Sequence, residues 1–211
     1  MRRILCYATS LALAATITLG ASALRPGGLT VEAGTAVRMD VPDLATQADL
    51  IVEARVLSAR GVEDPSGRID TEYVLRVDRT LWGTAQAART VRLPGGTLPD
   101  GRGMVLAGVP RLTTGEDVLL FLSSASPTGM RMPTGLGQGK FTVVRDLRGR
   151  RSLVRAPGHL ALVDPASGTV READGVLRFD YADTFARIEA ALSVRRVEEA
   201  RARAEAQQET K

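Results

Sequence analysis

Residues 50–57 narrow the possible folds more than any other part of this chain. Leu50, Val52, Ala54 and Val56 alternate with Ile51, Glu53, Arg55 and Leu57, a period near two that places successive side chains on opposite faces of a strand. The pattern returns over residues 71–81, with Tyr73, Leu75 and Val77 opposite Glu72, Arg76 and Asp78, and more briefly over 89–93. These segments predict antiparallel strands with one face in a core and the other in water. Asp117-Val118-Leu119-Leu120-Phe121-Leu122 is apolar on both parities, so it needs cover on both faces. It predicts the central strand of a mainly β protein, a closed or partly open antiparallel barrel.

Shorter signals fill in the rest. Residues 104–107, 141–144, 152–154, 160–163 and 176–179 read as further strands, and Asp146-Leu147-Arg148-Gly149-Arg150 as a hairpin turn. The linker 61–67 breaks the first strand from the second. Residues 42–48 suit a short helical turn with Asp43 near its positive end. Near the C-terminus the period changes: Tyr181, Phe185, Ile188 and Leu192 recur at three- and four-residue spacing and share one helix face. Beyond Val197 that face fades, so the last turns are expected to fray.

Residues 1–23 have the order of a secretory leader. Arg2 and Arg3 precede a short apolar run over 11–19, and Ala21-Ser22-Ala23 offers small side chains at a cleavage point. The run is too short for a stable membrane span. The expected organisation is a leader at 1–23, a flexible lead-in at 24–35, a β-rich domain at 36–180 and a helix with a frayed tail at 181–211. Cleavage after Ala23 removes Cys6, the only cysteine, so stability in an oxidising compartment must come from packing. It also lowers the formal charge from +4 to +2, which weakens a generic nucleic-acid reading. No transmembrane anchor is expected after processing, and the destination is the periplasm or the medium.

Chemistry-bearing residues are scarce. With a single histidine, His159, and no cysteine left, a zinc site of histidine and thiolate ligands is out of reach, and no cofactor is implied. His159 has no nucleophile at a spacing that establishes a triad. Gly135-Leu136-Gly137-Gln138-Gly139-Lys140 superficially resembles a phosphate loop, but a strand-like run follows it and Phe141 stands where a hydroxyl is needed. Tight backbone packing explains it better. The neighbouring acids Asp70 and Glu72, or Glu116 and Asp117, are not by themselves the opposed carboxylates of a glycosidase. Arg145, Arg148, Arg150, Arg151 and Arg155 form the densest basic segment, and aromatic residues for base stacking are not interleaved. Binding candidates are therefore Arg148, Arg150 and Arg151, toward an acidic protein or an anionic envelope surface, and Trp82, whose alternative role is to cover a barrel mouth.

Several segments in order carry a resemblance: residues 48–56, 73–83 ending Leu81-Trp82-Gly83, Leu93-Pro94-Gly95-Gly96, residues 108–112, 115–122, and Gly135 to Phe141. Together they resemble a group of uncharacterised exported bacterial proteins, over roughly residues 40–145. The group looks related in architecture to the OB-like barrels of netrin-type and metalloproteinase-inhibitor domains. That resemblance implies a barrel with an extracytoplasmic binding or inhibitory role. The inhibitors place the amino group of a disulfide-bonded N-terminal cysteine on a catalytic zinc; here Leu24 would lead the mature chain, so that mechanism does not carry over. The expectation is an exported binding or protein-interaction domain. The alternatives are a hydrolase with carboxylates assembled across loops and a purely structural envelope protein.

Overall fold

The computed structural model describes residues 34–158, 160–173 and 175–209. The expected leader, most of the lead-in and His159 lie outside the described residues. After a short strand, β1 (Gly34–Val37), comes a helix of about two turns, α1 (Val41–Gln47). Its start is held by a reciprocal cap: the Asp43 amide donates to the Asp40 carboxylate at 3.0 Å and the Asp40 amide to the Asp43 carboxylate at 2.9 Å. Two orphan amides are thereby satisfied.

The alternating segments form long strands. β2 (Leu50–Glu63) and β3 (Ile69–Trp82) pair antiparallel through three register shifts, and β4 (Ala88–Pro94) follows on β3. The break expected from residue 61 comes later, because Asp64 organises it: its carboxylate accepts from the amides of Ser66 (2.9 Å) and Arg68 (3.0 Å). Gly61 remains in β2, where a side chain would collide with the Thr97 carbonyl. Thr97 belongs to β5 (Gly96–Thr97), which pairs with β6 (Gly103–Met104). The apolar segment expected as a strand at 104–107 therefore keeps only Met104.

β7 (Asp117–Leu122) lies beside β2, and β8 (Lys140–Arg145) and β9 (Arg151–Arg155) form the hairpin read from the turn at 146–150. With β12 (Leu177–Asp180) they complete one sheet ordered β12-β9-β8-β7-β2-β3-β4. A second sheet joins β1 in parallel to β10 (Leu160–Val163), which pairs antiparallel with β11 (Val170–Glu172). The C-terminal helix, α2 (Tyr181–Glu209), starts directly after β12.

β7 has the two-sided cover its composition demands. Leu119 and Phe121 join Ile51, Phe141, Leu153, Leu44 of α1 and Phe185, Ile188 and Leu192 of α2 in one core. Val118, Leu120 and Leu122 join Val52, Leu75, Val91 and Leu93 in the other. The fold is mainly β, with a large antiparallel sheet and a C-terminal helix. Among the described residues the sheet does not close: β4 and β12 are its ends. Full closure needs the end strands to pair, whereas β12 passes at once into α2, which packs on a sheet face. The β4 edge instead meets an isolated bridge, Arg92 to Met130, and Leu122 bridges to Pro133.

Candidate functional site

β9 carries arginines at both ends of one face. Arg151, Leu153 and Arg155 have the same parity, and Leu153 is fully buried in the core beneath the helices. Arg155 is drawn in with it and is only 8 % exposed. Its guanidinium lies 5.4 Å from the centre of the Phe141 ring and 5.1 Å from that of Phe179. These rings stabilise the cation through their faces but accept no ordinary hydrogen bond. One long bond, 3.5 Å, runs from Nη1 to the Met39 carbonyl, and the buried Nε has no hydrogen-bond partner among the described residues. Burial pushes the Arg155 pKa down, with Asp40 opposing through its charge. This is a buried cation short of acceptors, an expensive arrangement to leave incomplete.

Arg155 lines a partly enclosed cavity of about 320 Å³. Arg38, Gln138, Asp164, Arg171, Glu172 and Leu177 also line it. Gln138 is fully buried, and its amide is spent on the fold: Oε1 accepts from the Met39 amide at 2.9 Å, while Nε2 donates to the carbonyls of Val37 (2.9 Å) and Gly135 (3.1 Å). Asp164 accepts from the amides of Ala166 (3.0 Å) and Ser167 (3.1 Å) and pairs with Arg38 at 2.9 Å. The Ser167 amide leads the contacts that hold its carboxyl below the ordinary range. Asp164 thus anchors Arg38 and its own loop. Arg171 makes no ion pair among the described residues. The cavity therefore offers two arginines without a carboxylate partner, one of them buried.

The glycine-rich segment supplies part of this wall. Leu136–Gly139 is a 3₁₀ turn running straight into β8, and Leu136 itself adopts φ 58°. A Cβ at Gly137 would meet the Pro157 carbonyl, and one at Gly139 the Thr134 carbonyl. The glycines serve close backbone packing that delivers Gln138.

The structure separates the binding candidates read from the sequence. Arg148 and Arg150 sit on the exposed hairpin, where the Asp146 carboxylate accepts the amides of Arg148 (2.8 Å) and Arg150 (2.9 Å) and the Arg150 side chain (2.8 Å). Arg151 is turned the other way: it pairs with buried Glu53 at 3.3 Å and lies 3.8 Å from the centre of the Tyr181 ring. Trp82 is half-buried under Arg195, whose guanidinium is 4.4 Å from the indole. Arg195 also donates to the carbonyls of Ala45 (3.3 Å) and Ala48 (2.6 Å), tying α2 to the end of α1. The four are not brought together.

The acidic pairs are engaged too. Asp70 takes a two-pronged contact from Arg68 (3.0 and 3.2 Å), and Glu72 pairs with Arg60 (2.9 Å) and Arg92 (3.1 Å). Glu116 meets Lys140 at 2.6 Å, and Asp117 meets Arg55 at 3.1 Å. Among the described residues no three of histidine, cysteine, aspartate and glutamate are grouped to hold a metal ion, and no helix is long and apolar enough to cross a membrane.

No family model, no curated protein and no solved structure matches the chain. The chemistry of the cavity is what remains to read. Sequence reasoning placed Arg155 in the basic segment 145–155 without separating it from its neighbours. The available signal was its parity with Leu153, which puts an arginine on the apolar face of β9.

Proposed function

We propose that this chain is an exported binding domain, periplasmic or secreted, whose ligand places an anionic group in the cavity beside Arg155. One observation carries the reading: a buried guanidinium, set against the Phe141 and Phe179 rings, lines a cavity while its Nε has no acceptor among the described residues. A carboxylate or similar oxyanion is the complementary group, because its oxygens accept from the guanidinium fork. Export rests on the basic, apolar and small-residue order of residues 1–23. An OB-like curl of strands β2–β4 and β7 is supported by the bridges Arg92–Met130 and Leu122–Pro133, which bring residues 130–133 between β4 and β7. Such a curl would present loops for binding.

Sodium acetate and inorganic phosphate are suitable probes, titrated at constant ionic strength into protein with isotope-labelled arginine. The Arg155 Nε–Hε resonance, identified by its absence in Arg155→Lys, should shift saturably with at least one of them. Arg171→Ala, which leaves the contacts of Arg155 with Phe141 and Phe179 untouched, should weaken that response. A folded protein whose Arg155 signal ignores both anions would overturn the reading.

A further inference from the structure

The cavity lies where the two sheets end. Among the described residues β11, the last strand of the three-stranded sheet, and β12, the last strand of the seven-stranded sheet, each pair on one side only. Both line it, through Arg171 and Glu172 on one strand and Leu177 on the other. An unpaired strand edge presents backbone donors and acceptors in a row, a template for another strand. Apolar side chains are exposed on these segments as well: the lining Leu177 is 42 % exposed, and Val170 and Val176, each next in sequence to a lining residue, are 59 and 68 % exposed. A free small anion would use none of these features.

Register connects the edge to the buried arginine. Leu177 pairs directly with Arg155, and Phe179 with Leu153, so Leu177 and Arg155 point to the same face of the sheet. A strand added along β12 would put the side chain opposite Leu177 on that face too. A long acidic side chain there extends toward the Arg155 guanidinium, with Arg171 on the cavity wall to share its charge. Its immediate neighbours on the added strand face the other side of the sheet.

We infer, building on the anion-site reading above, that the natural ligand is an extended acidic segment of another extracytoplasmic protein, added as a strand at β12 with a glutamate side chain in the cavity. Backbone pairing supplies length and direction, and the Arg155–carboxylate contact supplies selection, since a neutral side chain would leave the buried cation incomplete.

The test uses an end-blocked, Thr- and Val-rich peptide with a central glutamate, its glutamine counterpart, and sodium acetate, each titrated calorimetrically into the purified protein. The glutamate peptide should bind at least about tenfold more tightly than either comparator. It should also slow amide exchange in residues 177–180, which acetate should leave unchanged. Arg171→Ala should weaken the glutamate peptide more than the glutamine peptide. Acetate binding with no gain for the peptide would overturn this inference while sparing the anion site. Silence from the peptide, together with an Arg155 signal that ignores both acetate and phosphate, would overturn both. Tighter binding to phosphatidylglycerol vesicles than to the peptide would overturn it in favour of a lipid surface.

Discussion

Glu53 occupies a β2 position between Val52 and Ala54 and is 6 % exposed, yet its carboxylate is matched on both oxygens. Tyr181 donates to Oε2 at 2.7 Å and Arg151 to Oε1 at 3.3 Å. Burial, and then the Glu53 carboxylate, push the Tyr181 phenol above its ordinary value. Between the ordinary and the raised value the unfolded chain holds fewer protons than the folded one. Stability from this phenol is therefore complete below about pH 10 and is lost as pH rises through the folded value. Tyr181→Phe should cost about 1–3 kcal/mol at neutral pH by leaving an acceptor unsatisfied, and it should flatten the alkaline fall in the urea midpoint. An unchanged alkaline limb would show that Tyr181 is not the group responsible. The same cluster divides the arginines of the β8–β9 region. Arg151→Ala should destabilise measurably, whereas Arg148→Ala and Arg150→Ala should leave unfolding unchanged, because Arg148 holds Asp146 only through its backbone amide and the exposed Arg150 side chain reaches only Asp146.

Elements differ in how much of the molecule they hold. β7 places large side chains in both cores, so Leu120→Ala and Phe121→Ala should each cost about 2–5 kcal/mol in chemical denaturation. Near-wild-type stability for both would contradict the two-sided burial of this strand. α2 is held differently along its length. Phe185, Ile188 and Leu192 dock it on the sheet, while Val194 and Val197 are 58 and 54 % exposed. One turn past the last apolar anchor, Arg195 satisfies carbonyls at the end of α1 and stacks on Trp82. Arg195→Ala should cost about 1–3 kcal/mol through those two carbonyls, and the loss should appear first as faster amide exchange in α1. Equal exchange in α1 would mean that the apolar anchors alone position the helix. Helical structure runs to Glu209, past the point where the sequence pattern suggests fraying.

At the scale of the whole molecule, paired carboxylates join segments distant in the chain. Glu72, through Arg60 and then Arg92, and Asp164, through the Ser167 amide, are held below their ordinary values. Burial pushes Glu116 up, but Lys140 and Thr142 outweigh it and the net direction is down. Between the folded and ordinary values the unfolded chain binds more protons. The stabilisation is present above about pH 4.5 and is lost as pH falls through the folded values. Urea midpoints should therefore drop as pH falls below about 4.5, and Glu72→Gln should soften the drop. A midpoint that stays level over that fall would show that these pairs contribute little.

The strands and helix that carry the core were legible in the sequence because their signals are local. Alternation over 50–56 specifies a strand whatever it pairs with, although Ile51 and Glu53, on the face expected in water, are buried; a two-sided apolar run specifies a buried β7, and Tyr181, Phe185, Ile188 and Leu192 mark one face of α2. The edges and the site were not legible. β1 has no periodicity of its own and exists because β10, from the far end of the chain, supplies its partners. β11 is three exposed residues ordered by the same sheet. Arg155 looks in sequence like one more member of a basic run, and its burial depends on Phe141 and Phe179 from the strands on either side. Side-chain period is encoded residue by residue, so sequence alone determined which segments become strands and which becomes the helix. Sheet closure, free edges and the environment of a charge depend on which distant segments meet, so only the tertiary structure decided them.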